Sequence, residues 1–185
     1  MTERKLIESC IKGDSKSQKE LFDKFSGKMF ALCKRYARNV QESEDMLQEA
    51  FVKIFHSLDK FQFKGSFEGW IRRIVVNTCL RYLEKEKINF EDIALVDYNT
   101  SNVISPEAIE HLAEEELLSM IAKLPDGYKM VFNLYVIEGY SHKEIADLLN
   151  IGESTSRSQL VKARKLLKEI IIQYNEIIYE KGEVG

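Results

Sequence analysis

The stretch Gly139–Lys168, GYSHKEIADLLNIGESTSRSQLVKARKLLK, predicts a helix, a tight turn and a second helix. Ser141, followed three residues later by Glu144, matches the capping box with which many helices begin. Asn150-Ile151-Gly152 then interrupts the helical pattern, and Ile151 is the apolar residue that we expect to pack inside the turn. The stretch is therefore interpreted as a helix-turn-helix.

The second helix of this stretch has two chemically different faces. The apolar face carries Ser156, Leu160, Ala163, Leu167 and Ile170. The opposite, basic and hydroxyl-bearing face carries Ser154, Ser158, Val161, Lys162 and Lys165, with Arg157 and Arg164 at its flanks. Such a face suits the major groove of DNA, where phosphates attract cations and base edges form hydrogen bonds. The alternative is a solvated charged face, but the capping box, the short turn and the lack of acidic residues between positions 154 and 168 favour DNA binding.

Composition indicates an almost all-helical protein with one domain or two small ones. The chain has 185 residues, of which 44% are hydrophobic, and it contains only two prolines and nine glycines. Its formal net charge of −3 gives no support for nucleic-acid binding, so that interpretation depends on local patterns. Residues 88–122 carry eight acidic residues and no Lys or Arg. This acidic segment could keep a linker soluble, limit nonspecific DNA binding, or imitate nucleic acid on a basic partner.

Neither a metal, a cofactor nor an enzymatic reaction is expected. The cysteines are odd in number and lack metal-ligand spacing, so we expect isolated, buried, reduced thiols at Cys10, Cys33 and Cys79. The histidines are equally scattered, at His56, His111 and His142. No phosphate-binding glycine loop or nucleophile motif is present. Without a signal peptide or a membrane-spanning apolar run, the sequence predicts a cytoplasmic protein with no membrane insertion.

The N-terminal half predicts helices at residues 3–12, 17–25 and 28–38, with a break at Gly27. The following segment, SEDMLQEAFVKIFHSL from Ser43, predicts a helix with a broad apolar stripe. Acidic residues in its first turn suit the helix dipole, and they could also form a docking face for a basic helix of a partner.

An aromatic loop, Asp59–Phe67, leads into a helix from Glu68 to about Glu86. Trp70 lies on the apolar stripe of that helix and is assigned to the core, whereas Phe61 and Phe63 fit core packing and base stacking equally well. The polar side of the helix carries Arg72, Arg73, Asn77, Arg81 and Lys85. Cations beside aromatic rings and an exposed amide are what binding of single-stranded DNA requires.

The C-terminal half begins with residues 89–104, which lack periodicity and read as a linker. Ser105-Pro106-Glu107 is typical of a helix start, and this helix is predicted to reach about Leu124. A further helix covers Tyr128–Glu138 before the helix-turn-helix. The Ile-rich continuation beyond Ile170 either packs back on its domain or contacts another protein.

Three segments together resemble extracytoplasmic-function (ECF) sigma factors of bacterial RNA polymerase. They are Asp-x-x-Gln-Glu-x-Phe at residues 45–51, FKGSFEGWIRRIVVNTCLRYL at residues 63–83, and LPDGYKMVF, YSHKEIADLL and RSQLVKAR between residues 124 and 164. The resemblance covers about residues 5–170. It implies an all-α fold of two small helical domains joined by a flexible linker, with the helix-turn-helix in the second domain.

The resemblance also implies roles for segments and residues. Residues 1–87 would be sigma region 2, residues 88–105 the acidic linker, residues 106–170 sigma region 4, and residues 171–185 a C-terminal helical extension and tail. Docking on core RNA polymerase is implied for Asp45, Gln48, Glu49 and Phe51. Contact with the minus-ten promoter element is implied for Phe61, Phe63, Lys64, Arg72, Arg73, Asn77 and Arg81. Contact with the minus-thirty-five element is implied for Ser154, Thr155, Arg157, Ser158, Val161, Lys162 and Lys165.

The function implied is a sigma factor that binds core RNA polymerase, directs it to promoters and supports melting of the promoter DNA. Its implied partners are core polymerase, duplex and melted promoter DNA, and, as a further candidate, an anti-sigma factor. Two other functions fit parts of the pattern. A stand-alone helix-turn-helix regulator would dimerise through its N-terminal helices, and a helical adaptor would contact only proteins.

Overall fold

The computed structural model describes residues 2–85 and 114–182, and all regular structure in these ranges is helical. The chain divides into two compact units, residues 1–87 and residues 88–185. The prediction of an all-helical protein with two small domains is confirmed. The predicted linker and the predicted helix start at Ser105-Pro106-Glu107 lie outside the described residues.

The N-terminal unit consists of four α-helices and one short 3₁₀ turn. These are α1 (Glu3–Ile11), α2 (Ser15–Lys34), α3 (Val40–Ser57), the 3₁₀ turn (Leu58–Lys60) and α4 (Phe67–Lys85). Helix α2 packs on α1, α3 and α4, and α3 packs on α4 as well, so α2 and α3 together form the centre of this unit.

Short polar side chains begin the first three helices. Thr2, Asp14 and Asn39 each accept a hydrogen bond from a backbone N–H in the first turn, and for Asp14 and Asn39 the donor–acceptor distance is 2.8 Å. These bonds satisfy backbone donors that a helix cannot satisfy itself.

The core of the N-terminal unit is aliphatic between α2, α3 and α4, and aromatic at one end. Its fully buried aliphatic members are Leu21, Met29 and Leu32 of α2, Met46 and Ile54 of α3, and Ile71, Val75 and Val76 of α4. The aromatic end holds Phe25, Phe61, Phe67 and Trp70, whose ring centroids lie 5.1 to 5.6 Å from their neighbours.

The predicted break at Gly27 is wrong, since α2 continues through this residue without interruption. Phe25 and Met29 on either side are buried, and their packing stabilises the helix across the glycine. A Cβ atom at position 27 would meet no other atom within 4 Å, so close packing does not require a glycine there.

The C-terminal unit contains four described α-helices and a π-helical turn. They are α5 (Glu114–Ala122), α6 (Asp126–Phe132), the π-helical turn (Asn133–Ile137), α7 (His142–Leu149) and α8 (Glu153–Gly182). Within this unit α8 packs against α5, α6 and α7.

The helix-turn-helix formed by α7 and α8 has the predicted local structure. The backbone N–H of Ser141 donates to the Glu144 carboxylate at 2.9 Å, and the Ser141 hydroxyl accepts from the Glu144 N–H at 3.3 Å, which completes the capping box. Asn150 ends α7 in the left-handed conformation, with φ of 53°. Ile151 is buried in the turn, as expected.

The C-terminal extension packs back on its own unit as far as its side chains are described. Ile171 is buried, and the Tyr174 hydroxyl forms a hydrogen bond with the carboxylate of Glu116 in α5. This hydrogen bond raises the pKa of Tyr174. None of the described helices combines the length and apolar character that crossing a membrane requires.

Candidate polymerase and DNA interfaces

Two of the residues predicted to contact polymerase, Asp45 and Gln48, are exposed on α3, and Glu49 beside them is half-buried. Met46 and Ala50 alternate with them in sequence but point into the core, because helical geometry separates the two sets by face. The structure therefore brings the three polar residues together on one solvent-facing side of α3. We call Asp45, Gln48 and Glu49 the α3 face.

Glu49 is held by a polar connection between α3 and α4. The Lys53 ammonium donates to Glu49 Oε1 at 2.6 Å and to Thr78 Oγ1 at 3.3 Å. The hydrogen bond with Lys53 lowers the pKa of Glu49, and the positive charges of Lys85 and Arg81 act in the same direction. This role of Lys53 was not predicted, although its four-residue spacing from Glu49 suits a helical ion pair.

Phe51 does not lie on the exposed side of α3. Its side chain is only 3% exposed, and its ring centroid lies 4.7 Å from that of Phe22. The expectation that Phe51 contacts polymerase is therefore corrected to a core role. The exposed apolar residue on this side of α3 is Val52, which is four residues after Gln48.

The predicted basic side of α4 is a continuous exposed stripe. Arg73, Asn77 and Arg81 are exposed and follow each other at four-residue intervals, which places them on one side of the helix. Arg72 is half-buried next to this line. We call Arg73, Asn77 and Arg81 the α4 stripe; it offers two cations for phosphates and one amide for a base edge.

Phe61 is part of the aromatic core rather than a stacking surface. It is 7% exposed, and its ring centroid lies 5.1 Å from that of Phe67 and 5.4 Å from that of Trp70. A base cannot stack on a ring that is covered in this way, so the minus-ten assignment of Phe61 is corrected. Trp70 stacks on Phe67, with the ring centroids 5.6 Å apart, but it is half-buried and so lies at the edge of the core to which it was assigned.

Phe63 is the aromatic residue of the loop that remains accessible. Its side chain is 39% exposed, its φ is 54°, and Lys64 next to it is exposed. The guanidinium group of Arg4 lies over the Phe63 ring, 4.9 Å from its centroid. The contact of Arg4 in α1 with this loop was not predicted, because no local pattern indicates a contact between residues so distant in sequence.

The front of α8 carries the residues predicted to contact the minus-thirty-five element. Val161 is 66% exposed, and Thr155 and Lys162 are half-buried. The other predicted residues of this face are exposed: Ser154, Arg157, Ser158 and Lys165. The back of the helix is buried, at Ser156, Leu160, Ala163 and Leu167. The two faces predicted from the sequence are thus separated in the structure.

A hydrogen bond between His142 and Ser156 joins α7 to the back of α8. Ser156 is fully buried, and its hydroxyl oxygen lies 2.9 Å from His142 Nδ1. The His142 ring also stacks on Tyr135 of the π-helical turn at 4.5 Å. Burial lowers the pKa of His142, and the charge of nearby Arg157 lowers it further, so the ring is neutral at physiological pH.

The prediction of buried free thiols is confirmed for all three cysteines, but the proximity of two of them was not predicted. All three are free and buried, but Cys33 and Cys79 meet between α2 and α4, with their sulfur atoms 3.9 Å apart. Among the described residues, no group of three or more His, Cys, Asp or Glu side chains is arranged to hold a metal ion.

Comparison with known proteins identifies both units. The family description Sigma-70 region 2 matches residues 21–88, and Sigma-70, region 4 matches residues 114–167. The ECF RNA polymerase sigma-E factor of Haemophilus influenzae is 30% identical over 183 residues, covering 92% of this chain and 96% of the relative. The ECF RNA polymerase sigma factor SigW of Bacillus subtilis is 29% identical over 177 residues, covering 90% of this chain and 95% of the relative.

Two solved structures share the fold. CnrH in complex with the cytosolic domain of CnrY matches with a TM-score of 0.51 at 20% identity, covering 92% of this chain and 97% of that one. The sigma factor RpoE in complex with the anti-sigma factor NepR from Bartonella quintana matches with a TM-score of 0.53 at 18% identity, covering 84% of this chain and 96% of that one.

Regions 2 and 4 together define a transcription initiation factor of the sigma-70 type. Within that class, the chain belongs to the ECF RNA polymerase sigma factors, because the similarity to such proteins extends over nine-tenths of its length. The family predicted from the three sequence segments is confirmed.

Proposed function

We propose that this sigma factor binds core RNA polymerase through the α3 face in the bacterial cytoplasm. Exposed Asp45 and Gln48 offer a carboxylate and an amide to a basic partner helix, and Glu49 adds a second carboxylate. The hydrogen bond from Lys53 lowers the pKa of Glu49, so this carboxylate is ionised and is paired with the Lys53 ammonium. Val52 supplies an exposed apolar contact beside these polar groups.

The α4 stripe and the loop before α4 then engage the minus-ten element. Arg73 and Arg81 bind phosphates, and the Asn77 amide between them reads the edge of an unpaired base. Phe63 and Lys64 extend this surface with one accessible ring and one cation, and half-buried Arg72 supports it. Binding of unstacked bases offsets the few kcal/mol that unstacking costs, so promoter melting needs no covalent chemistry by this chain.

The front of α8 reads the minus-thirty-five element in the major groove. Arg157 and Lys165 are exposed cations, Ser158 offers a hydroxyl, and Val161 offers an apolar contact for a thymine methyl group. Ser154, Thr155 and Lys162 border this set. The hydrogen bond and packing on the back of α8 hold the reading face in a fixed orientation.

An anti-sigma factor is proposed as a further partner. The two structural relatives are complexes of CnrH with the cytosolic domain of CnrY and of RpoE with the anti-sigma factor NepR. The alternative of a stand-alone helix-turn-helix regulator is not favoured, because the N-terminal unit matches Sigma-70 region 2.

The observation that carries the proposal is the presence of two different surfaces on one helical unit. The α3 face is polar and acidic, whereas the α4 stripe is basic, and both lie in the part that matches Sigma-70 region 2. A polymerase subunit and DNA can therefore bind the same unit without competing for the same side chains.

Co-elution with bacterial core RNA polymerase at moderate salt tests this proposal. Wild type is expected to form a stoichiometric complex, and Asp45→Lys is expected to lose it through charge repulsion. Asp23→Lys is the matched control, since Asp23 is an exposed carboxylate of α2 outside the α3 face. Failure of the wild type to bind, or equal loss in both variants, would contradict the proposal.

A further inference from the structure

Cys33 of α2 and Cys79 of α4 form a thiol pair in the core of the N-terminal unit. The Cys79 thiol donates to the Cys33 sulfur at 3.9 Å, and both side chains are fully buried. The polymerase and DNA contacts proposed above use neither sulfur. The third cysteine, Cys10, lies on α1, and burial raises the pKa of its thiol, which keeps that thiol protonated and unreactive.

The two sulfur atoms of the thiol pair lie within reach of a covalent bond. A disulfide bond is about 2.05 Å long, so the sulfurs have to approach each other by about 1.9 Å. Side-chain rotation and a small movement of α4 towards α2 must together supply this approach. Because the cysteines are 46 positions apart, the bond would remove much conformational freedom from the unfolded chain and so stabilise the unit.

We infer that a small hydroperoxide converts the thiol pair to a disulfide, which ties α2 to α4 and weakens the action of the α4 stripe on DNA. The modification site stands on the geometry of the pair, whereas its effect on DNA rests on the proposed minus-ten function. In a reducing cytoplasm the resting state is the dithiol, so the disulfide forms only under oxidative load and is reversed by thiols.

The oxidation proceeds in two balanced steps. One thiol of the pair, as its thiolate, attacks a peroxide oxygen; the O–O bond breaks, a sulfenic acid forms, and the other peroxide oxygen takes up the thiol proton and leaves as water or an alcohol. The second sulfur then attacks the sulfenic sulfur; the S–O bond breaks, the S–S bond forms, and the hydroxyl group leaves as water with the second thiol proton. The pair loses two electrons, and the peroxide gains them.

Burial of the thiol pair selects the oxidant by size. A large reagent such as glutathione disulfide cannot align with a sulfur that is fully covered, whereas a small peroxide needs only a brief local opening of the packing between α2 and α4. The same burial makes the reaction slow. The contact between the sulfurs directs the sulfenic acid to the disulfide before a second peroxide molecule reaches it.

Formation of the disulfide acts on the α4 stripe from the opposite side of the helix. Cys79 lies two residues after Asn77 and two residues before Arg81, so its side chain points away from the stripe. Val75 and Val76 of α4 are fully buried in the same core, and a close-packed core does not absorb a displacement locally. Movement of α4 at Cys79 therefore displaces Asn77 and Arg81 as well.

Thiol counting on the purified full chain tests the modification site. Hydrogen peroxide should reduce wild type from three thiols to one, with the peptides of Cys33 and Cys79 joined and Cys10 still a thiol. Cys10→Ala is the matched control and should form the same bond, whereas Cys33→Ala and Cys79→Ala should form none within the chain. A bond that includes Cys10, sulfinic acids without a bond, or equal reaction with glutathione disulfide would overturn the inference.

Fluorescence of Trp70, which lies in the same unit, tests whether the bond fits the folded structure. The melting temperature of oxidised wild type should exceed that of reduced wild type by about 10 °C, and dithiothreitol should reverse the difference. A lower melting temperature in the oxidised protein would mean that the bond distorts the unit rather than tying its helices together, and it would overturn the inference.

Open-complex yield at a cognate promoter tests the effect on DNA. The protein is oxidised alone, the peroxide is removed, and core RNA polymerase and promoter DNA are then added without reductant. Oxidised wild type and oxidised Cys10→Ala should give about fivefold fewer open complexes than their reduced forms. Peroxide should not change the yields of Cys33→Ala and Cys79→Ala; two variants are compared so that lost packing in one does not decide the result.

Two outcomes of this last experiment would overturn the regulatory inference. An equal decrease in the variants without the thiol pair would mean damage elsewhere, and an unchanged wild-type yield despite the bond would mean that the pair does not act on DNA. Failure of the proposed function is distinguishable, because reduced wild type would then give no open complexes. The thiol counts and melting temperatures need neither polymerase nor DNA.

Discussion

Ser156→Ala is expected to destabilise the C-terminal unit while leaving the exposed front of α8 unchanged. The serine is fully buried, and the 2.9 Å hydrogen bond to His142 Nδ1 links α8 to α7. Removing the Ser156 hydroxyl leaves His142 Nδ1 without this hydrogen bond, but water can still reach the ring in part because His142 is only half-buried. The expected loss is therefore about 1 kcal/mol, within the usual range for one hydrogen bond.

Ser158→Ala provides the comparison on the opposite side of the same helix. Ser158 is exposed, and its hydroxyl donates to the Thr155 carbonyl at 3.0 Å, a local bond with little effect on stability. Ser158→Ala is expected to leave unfolding unchanged and to weaken binding to minus-thirty-five DNA. Ser156→Ala is expected to show the reverse pattern.

The two units can be followed separately in the intact chain. Trp70 is the only tryptophan and lies in the N-terminal unit, so its fluorescence reports that unit, whereas helical circular dichroism reports both. A loss of about 1 kcal/mol corresponds to about 4–8 °C in the melting temperature of a domain of this size. Ser156→Ala should lower the melting temperature measured by circular dichroism and leave the melting temperature measured by Trp70 fluorescence unchanged. An unchanged transition, or an equal decrease in Ser158→Ala, would refute the role assigned to the His142–Ser156 hydrogen bond.

Three further predictions concern pH, helix α2 and promoter opening. The pKa of His142 is lowered from 6.5 by burial and then by Arg157, so the unfolded chain takes up its proton first as pH falls. The C-terminal unit should therefore lose stability from about pH 7.5 towards pH 5.5, and circular dichroism of His142→Gln should show a smaller loss. Gly27→Ala should stabilise the N-terminal unit by about 0.5–1 kcal/mol and so raise the melting temperature measured by Trp70 fluorescence. A lower melting temperature would mean that the open space at Gly27 is needed. Asn77→Ala should reduce open-complex yield at a cognate promoter without weakening polymerase binding, and an unchanged yield would remove Asn77 from base contact.

Helical periodicity predicted the faces of α8 and the capping box of α7 because both depend on residues within one or two turns. Ser156 was assigned to the apolar side despite its hydroxyl, and it is buried there with His142 as its partner. The importance of His142 was not predicted, because its partners come from the π-helical turn and from α8. The sequence analysis treated it as one of three scattered histidines.

Errors and omissions concentrate where distant parts of the chain meet. Phe51 lies in a motif segment and Phe61 in the aromatic loop, yet rings from other elements cover both, and the local sequence does not reveal such neighbours. Cys33 and Cys79 contact each other across 46 positions of sequence. The break assigned to Gly27 failed for the same reason, since packing on both sides of the residue outweighs its low helix propensity.

Helix α8 is continuous from its exposed front to its C-terminal extension, and this continuity has a mechanical consequence. The helix has 30 residues, which corresponds to a length of about 45 Å. Its front carries the side chains proposed to enter the major groove, whereas Tyr174, sixteen residues after Ser158, forms a hydrogen bond with Glu116 of α5. Because the back of this one helix is buried from Ser156 to Ile171, its front cannot turn without displacing that packed back as well. The exposed front and the C-terminal extension as far as Tyr174 therefore keep their places as one body.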